Sequence, residues 1–166
     1  MVLEDHHILV DSVNRIKLLE ESFDKLEEKK KNSEIYFEGM IWDSYSKILN
    51  IFSKSKNELI IIDSYADKVI LDIIKRLKVK VIIVTKENNL LTKQDIEKYS
   101  KQYHNLKIVY DNTFHDRYFL LDKEILYHCG TSINGISKKT FSINKVSDKE
   151  VIDALINKIK IHINPS

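Results

Sequence analysis

The chain has 166 residues, 43% hydrophobic and 31% charged, with a formal net charge of +2. That balance fits a folded globular protein and excludes a disordered one. A charge so near neutral does not demand a nucleic-acid partner, so any phosphate chemistry must rest on a local cluster. A single cysteine, Cys129, excludes an internal disulfide and reads as a buried, inert thiol. No apolar run approaches the ~20 residues that span a bilayer, and the start of the chain lacks the basic-then-apolar order of a signal peptide, so a cytoplasmic location is expected.

From about Asp5 to Lys31 the pattern is helical. Leu9, Ile16 and Phe23 recur at intervals of seven, with Val13, Leu19 and Leu26 between them, among Glu and Lys. This stripe has to be covered, either by the rest of the chain or by a second chain in a short coiled coil. Glu27 to Ser33 reads as a helix end and linker. The expected organisation is therefore an N-terminal helix and candidate dimerisation element over 1–33, followed by a main domain over 34–166.

The main domain opens with a short strand at Glu34 to Phe37 and a helix from Ile41 to about Ser53, beside which Trp42 is expected in the core. Leu59 to Ile62 has the continuous apolar character of a strand covered on both faces, and it ends in Asp63-Ser64-Tyr65-Ala66-Asp67. In open α/β sheets ligands bind beyond the carboxyl ends of strands, which makes Asp63, Tyr65 and Asp67 candidates for a cleft; Asp67 or Ser64 can instead cap the helix from Lys68 to Leu77. Val79 to Val84 and Leu106 to Tyr110 read as further buried strands. The helix between them starts at Thr92, with Asp95 completing a capping box. Near the end of the chain, Thr140 to Asn144 reads as a last strand. Ser147 and Glu150 form a second capping box for a terminal helix with Val151, Ile152, Leu155, Ile156 and Ile159 on its core face, and His162 near its end suits the helix dipole.

The chemistry concentrates between Phe114 and Asn134, FHDRYFLLDKEILYHCGTSIN. His115 and Arg117 are one residue apart, so an extended backbone sends both to one face. Two apolar runs, Tyr118 to Leu121 and Ile125 to Cys129, flank Asp122-Lys123-Glu124 and read as a hairpin, with Gly130-Thr131-Ser132-Ile133-Asn134 closing the unit. An imidazole beside a guanidinium, with hydroxyls and an amide returning nearby, can bind a phosphate. Neutral imidazole can also attack phosphorus. Lys138 and Lys139, in the loop that follows, are candidates for further phosphate contacts. His128 and Cys129 are adjacent and go to opposite faces of a strand, so they do not make a metal pair; no metal and no cofactor are expected.

The order helix, then β-α-β-α-β-α-β-β-β-β-α, predicts an α/β fold with a mixed, mostly parallel sheet and helices on both faces. His115, Arg117, Asp122, Thr131, Ser132 and Asn134 together resemble the phospholipase D superfamily, whose signature is His-x-Lys, four residues, Asp, and then a Gly/Ser-rich segment ending in Asn. Arg117 stands where that family has Lys, and Asn134 falls one position later than the commonest spacing. The resemblance implies half of a phospholipase D fold, His115 as covalent nucleophile, Arg117 and Asn134 as phosphate ligands, and two copies of the motif per site. This chain has one copy, so an active phosphodiesterase or nuclease of this type implies a homodimer. The segments IYFEGMIWDSY, ELIIIDSYAD, VKVIIVTK, FHDRYFLLD and YHCGTSINGISKKTFSI also resemble the C-terminal domain of phage and prophage regulators of the KilA-N and ORF-six-N kind. That resemblance implies regulation rather than lipid hydrolysis, and the leading expectation is the C-terminal domain of a phage-derived DNA-binding regulator, serving dimerisation and sensing of a phosphate or nucleic-acid ligand with weak or no catalysis. A protein-interaction module with a vestigial site is the third reading.

Overall fold

The computed structural model describes residues 13–21, 33–36, 41–88, 90–131, 133 and 141–163. The chain divides into two compact units, Met1–Glu34 and Ile35–Ser166. In the first, residues 13–21 form helix α1, and Val13, Ile16, Leu18 and Leu19 on it are exposed. The rest of the expected Asp5 to Lys31 helix lies outside the described residues.

The main body follows the expected order of elements: β1 (Ser33–Tyr36), α2 (Ile41–Ser53), β2 (Glu58–Ile62), α3 (Lys68–Ile74), β3 (Lys80–Thr85), α4 (Lys93–Gln102), β4 (Leu106–Tyr110), β5 (Arg117–Leu121), β6 (Ile125–Cys129), β7 (Phe141–Val146) and α5 (Lys149–Ile163). The strands form one sheet in the order β1-β7-β6-β5-β2-β3-β4. The expected mixed α/β sheet is present, with β2-β3 and β3-β4 paired in parallel. The pairs β2-β5, β5-β6 and β6-β7 are antiparallel. Helical crossovers return the chain to the same end of the sheet between β2, β3 and β4, whereas the three-residue connection after β5 can only reverse it.

Alternation along the strands divides the core in two. Leu59, Ile61, Val81, Ile83, Phe119 and Leu121 point to one face and pack with residues from α2, α3 and α4. Ile60, Ile62, Ile82, Val84, Leu120 and Leu126 point to the other and meet Ile152 and Ile159 of α5. Helices thus cover both faces, and the isoleucine-rich runs of β2 and β3 are buried because each is sandwiched between helical layers.

Three local expectations change. Trp42 is 81% exposed: the buried side of α2 is Ser44, Ile48, Ile51 and Phe52, spaced i, i+4, i+7, i+8, and Trp42 lies off that stripe. β4 is an edge strand with only partial burial, so its apolar run is half covered. The α5 cap is Asp148, whose carboxylate accepts from the Glu150 and Val151 N–H groups, one residue later than Ser147. The other caps form as expected: Asp67 accepts from the Val69 N–H at 2.9 Å, and Thr92 and Asp95 complete their capping box.

The β5-β6 turn is tied to β2 by Asp122. Asp122 and Lys123 both have positive φ, 53° and 59°, as a tight hairpin turn requires. The Asp122 carboxylate accepts from the backbone N–H groups of Lys56 (2.9 Å), Asn57 (2.8 Å) and Glu58 (2.9 Å). Its own N–H donates to the Glu58 carbonyl at 2.8 Å. Partial burial pushes the carboxyl up, but the three donated hydrogen bonds outweigh it and hold the group below its ordinary value. A depressed folded value means that this stabilisation is complete above the unfolded-state pKa and is lost as pH falls through the folded one. Asp122→Ala is therefore expected to cost about 1–3 kcal/mol at neutral pH, with the gap to the parent protein narrowing as pH falls below the ordinary carboxyl range. Urea melts of both proteins at several pH values check this, and a gap that stays constant with pH contradicts it.

Candidate phosphate-binding site

The polar residues of the chain gather where β2 and β3 end and β5 begins. Ile62 lies opposite Tyr118, so the same register carries Asp63, just beyond β2, opposite Arg117, the first residue of β5. Arg117 pairs with Cys129, and Cys129 with Ile143. Thr85, at the carboxyl end of β3, lies on the other side of Asp63, whose N–H donates to the Val84 carbonyl at 3.0 Å. Thr85, Asp63, Arg117 and Cys129 thus form a row across four strands, all on one face by the pleat.

Asp63 is fully buried. One carboxylate oxygen accepts the Tyr65 N–H at 3.0 Å; the other accepts the Ile133 N–H at 2.9 Å, from seventy residues further on. The expected ligand residue is therefore a clamp that fixes the turn after β2 and the segment after β6 together. Tyr65 is half exposed, and the Arg117 guanidinium carbon lies 5.6 Å from the centre of its ring, within cation–π range. The Nε of Arg117 is buried without a hydrogen-bond partner among the described residues, as is the Thr85 hydroxyl. Buried donors are normally satisfied, and an open guanidinium N–H suits an oxyanion.

His115 stands at the same end of the sheet. The link that carries it is pinned on both sides: Asp111 accepts from the Thr113 N–H and hydroxyl, both at 2.7 Å, and the Ser64 hydroxyl donates to the Phe114 carbonyl at 2.7 Å. Phe114 is buried, with the Lys158 ammonium 4.1 Å from its ring centre, and His115 immediately after it is exposed. Asn88 adds a bond from its side-chain amide to the Ser64 carbonyl at 3.1 Å.

Of the expected site residues, Asp63, Tyr65, His115, Arg117 and Thr131 come to this end of the sheet. Asp122 does not: it sits at the other end of β5, about 17 Å away for five extended residues, where its carboxylate is occupied by backbone N–H groups. Ser132, Asn134, Lys138 and Lys139 lie outside the described residues. His128 falls on the opposite face from Arg117, against Tyr118 and 3.7 Å from the Asp116 carboxylate. Sequence reasoning did not identify the Ser64 anchor or the clamp role of Asp63, since both depend on partners fifty or more residues away. Among the described residues no group of three or more His, Cys, Asp and Glu can hold a metal ion.

The thiol at the end of the row is not a nucleophile. Burial pushes Cys129 up to about 11, with the nearby Asp63 charge adding to the rise and the Thr131 N–H and Arg117 opposing it. It therefore stays protonated through the neutral range. Native protein at about pH 8 is expected to react with a thiol reagent at least about a hundredfold more slowly than denatured protein; equal rates contradict the burial.

No protein-family model matches this sequence, and no curated protein matches it. Solved structures do. NucT from Helicobacter pylori superposes with a TM-score of 0.59 at 16% identity, covering 79% of this chain and 94% of that one. Polyphosphate kinase from Porphyromonas gingivalis gives 0.54 at 11% identity over 80% of this chain, and phosphatidylserine synthase from Haemophilus influenzae Rd KW20 gives 0.53 at 22% identity over 76%. This chain spans only 22% and 36% of the latter two. At these identities the likeness is one of fold.

Proposed function

We propose that this domain binds the phosphate of a phosphodiester, with nucleic acid as its source, through Arg117. The buried, unpartnered Arg117 Nε carries this reading. It is an unused donor in a cleft whose neighbours are fixed by Asp63, and a phosphate oxygen satisfies it. Thr131 lies beside it through its N–H contact to Cys129; Ser132, Asn134, Lys138 and Lys139 are proposed to complete the site. Two of the proteins that share the fold are named for phosphate compounds, polyphosphate and phosphatidylserine. Binding is favoured over fast turnover because the His115 imidazole has no hydrogen-bond partner among the described residues to select its tautomer and orientation. A binding role also suits the phage regulators that the sequence resembles.

A second reading, a homodimeric phosphodiesterase, draws on the exposure of His115 at the same end of the sheet as Arg117. A His115 nitrogen would attack phosphorus and form the P–N bond as the P–O bond to the leaving alcohol breaks. The imidazolium of the second copy would protonate the departing oxygen. Water, losing a proton back to that imidazole, would then cleave the phosphohistidine.

Titration with a single-stranded DNA oligonucleotide separates binding from its absence, and release of nitrophenol from bis-p-nitrophenyl phosphate separates the two readings. Arg117→Ala is expected to weaken oligonucleotide binding by about tenfold or more, as for one lost charged hydrogen bond of ~1.4 kcal/mol. His115→Ala is expected to bind as the parent does. Turnover that disappears in His115→Ala and falls on dilution would replace the first reading with the second. A folded protein that neither binds nor turns over contradicts both.

A further inference from the structure

A cavity lies on the face and at the end of the sheet opposite to Arg117. It measures about 180 Å³, and its floor is apolar: Ile60, Ile82 and Leu120 from the sheet, Ile156 and Ile159 from α5. Its rim is basic. Lys80 begins β3, Lys107 is in β4, Lys123 is in the β5-β6 turn and Lys160 is on α5, so four elements each supply an ammonium group. The one carboxylate there is Glu58, which lies 3.9 Å from the Lys123 ammonium. Lys80, Lys107 and Lys160 are exposed and have no carboxylate partner among the described residues. Glu58 in turn has a buried Oε1 with no hydrogen-bond donor.

The basic surface continues past the cavity. A shallower depression of about 340 Å³ shares Lys80 and Lys107 with it and adds Lys78 and His104. An apolar hollow that opens onto a row of unpaired lysines suits a two-ended ligand. Its apolar end displaces water from the isoleucine floor, and its multiply charged end meets several ammonium groups, which act on phosphate as point charges. A hydroxyl or amino group on the ligand would supply the donor that the buried Glu58 oxygen lacks. Glu58 and Asp63 are five extended residues apart, about 17 Å, so this cavity is separate from the Arg117 cleft.

We infer that this cavity is a second ligand site, one that takes a small phosphate ester carrying an apolar group. Two sources share that chemistry, a nucleotide and a short-chain lipid phosphate. Calorimetric titration of the full chain with adenosine triphosphate, decyl phosphate and inorganic phosphate distinguishes them. At least one of the two esters is expected to bind about tenfold or more tightly than inorganic phosphate, and which one does identifies the source. The double variant Lys107→Gln/Lys160→Gln should weaken that binding about tenfold, Lys107→Arg/Lys160→Arg should retain it, and Arg117→Ala should leave it unchanged within about twofold. Both pairs of substitutions are at exposed positions, so thermal melts close to the parent's are expected. The inference is overturned if inorganic phosphate binds as well as the esters, if Arg117→Ala alone abolishes binding, or if no ester binds at about 1 mM.

Discussion

The buried carboxylate of Asp63 is the constraint on which the polar end of this molecule depends. A carboxylate removed from water is costly unless its oxygens are occupied, and here one accepts an N–H from two residues on and the other an N–H from seventy residues on. The requirement works in both directions. The sheet can bury Asp63 only if residues 65 and 133 come to it, and once they do, Tyr65 is held near Arg117 and the segment after β6 is held beside Cys129.

The two ends of the sheet thus have opposite characters. Asp122 at one end and Asp63 at the other each tie β2 to a distant segment by accepting backbone N–H groups. At the Asp122 end the bonds close a hairpin against β2 and occupy the Asp122 carboxylate with backbone donors. At the Asp63 end the Arg117 Nε and the Thr85 hydroxyl have no hydrogen-bond partner among the described residues. The spacing His-x-Arg, four residues, Asp therefore serves two different needs. Its first two residues flank the cleft, and its last holds the far end of the same strand in register. The proposed phosphate ligand Arg117 thus opens β5, a strand that lies between β2 and β6 within the sheet.

Much of the architecture was legible because it rests on local rules. The order of elements, the Thr92/Asp95 capping box, the Asp67 cap and the continuous burial of β2 and β3 all follow from periodicity and cap chemistry within a few residues. Trp42 was misplaced because apolar character alone does not say which side of a helix faces the sheet; the small, buried Ser44 marks that side. β4 was read as buried because its composition matches β3, while its place at the edge is fixed by strand order, which composition does not carry. In the site, the nearness of His115 to Arg117 was visible from their spacing. The occupation of Asp63 by Ile133, and the loss of Asp122 to a purely structural task, were not, since each depends on a partner more than sixty residues away.

The central claim is that Asp63 builds the phosphate site without touching the phosphate. Oligonucleotide affinity measured for Asp63→Asn and for Asp122→Asn, both compared with the parent at a temperature where all three are folded, tests it most directly. Loss of about tenfold or more in Asp63→Asn, with Asp122→Asn close to the parent, is the predicted result. Unchanged affinity in a folded Asp63→Asn protein would contradict the claim, because the geometry around Arg117 would then not need the clamp.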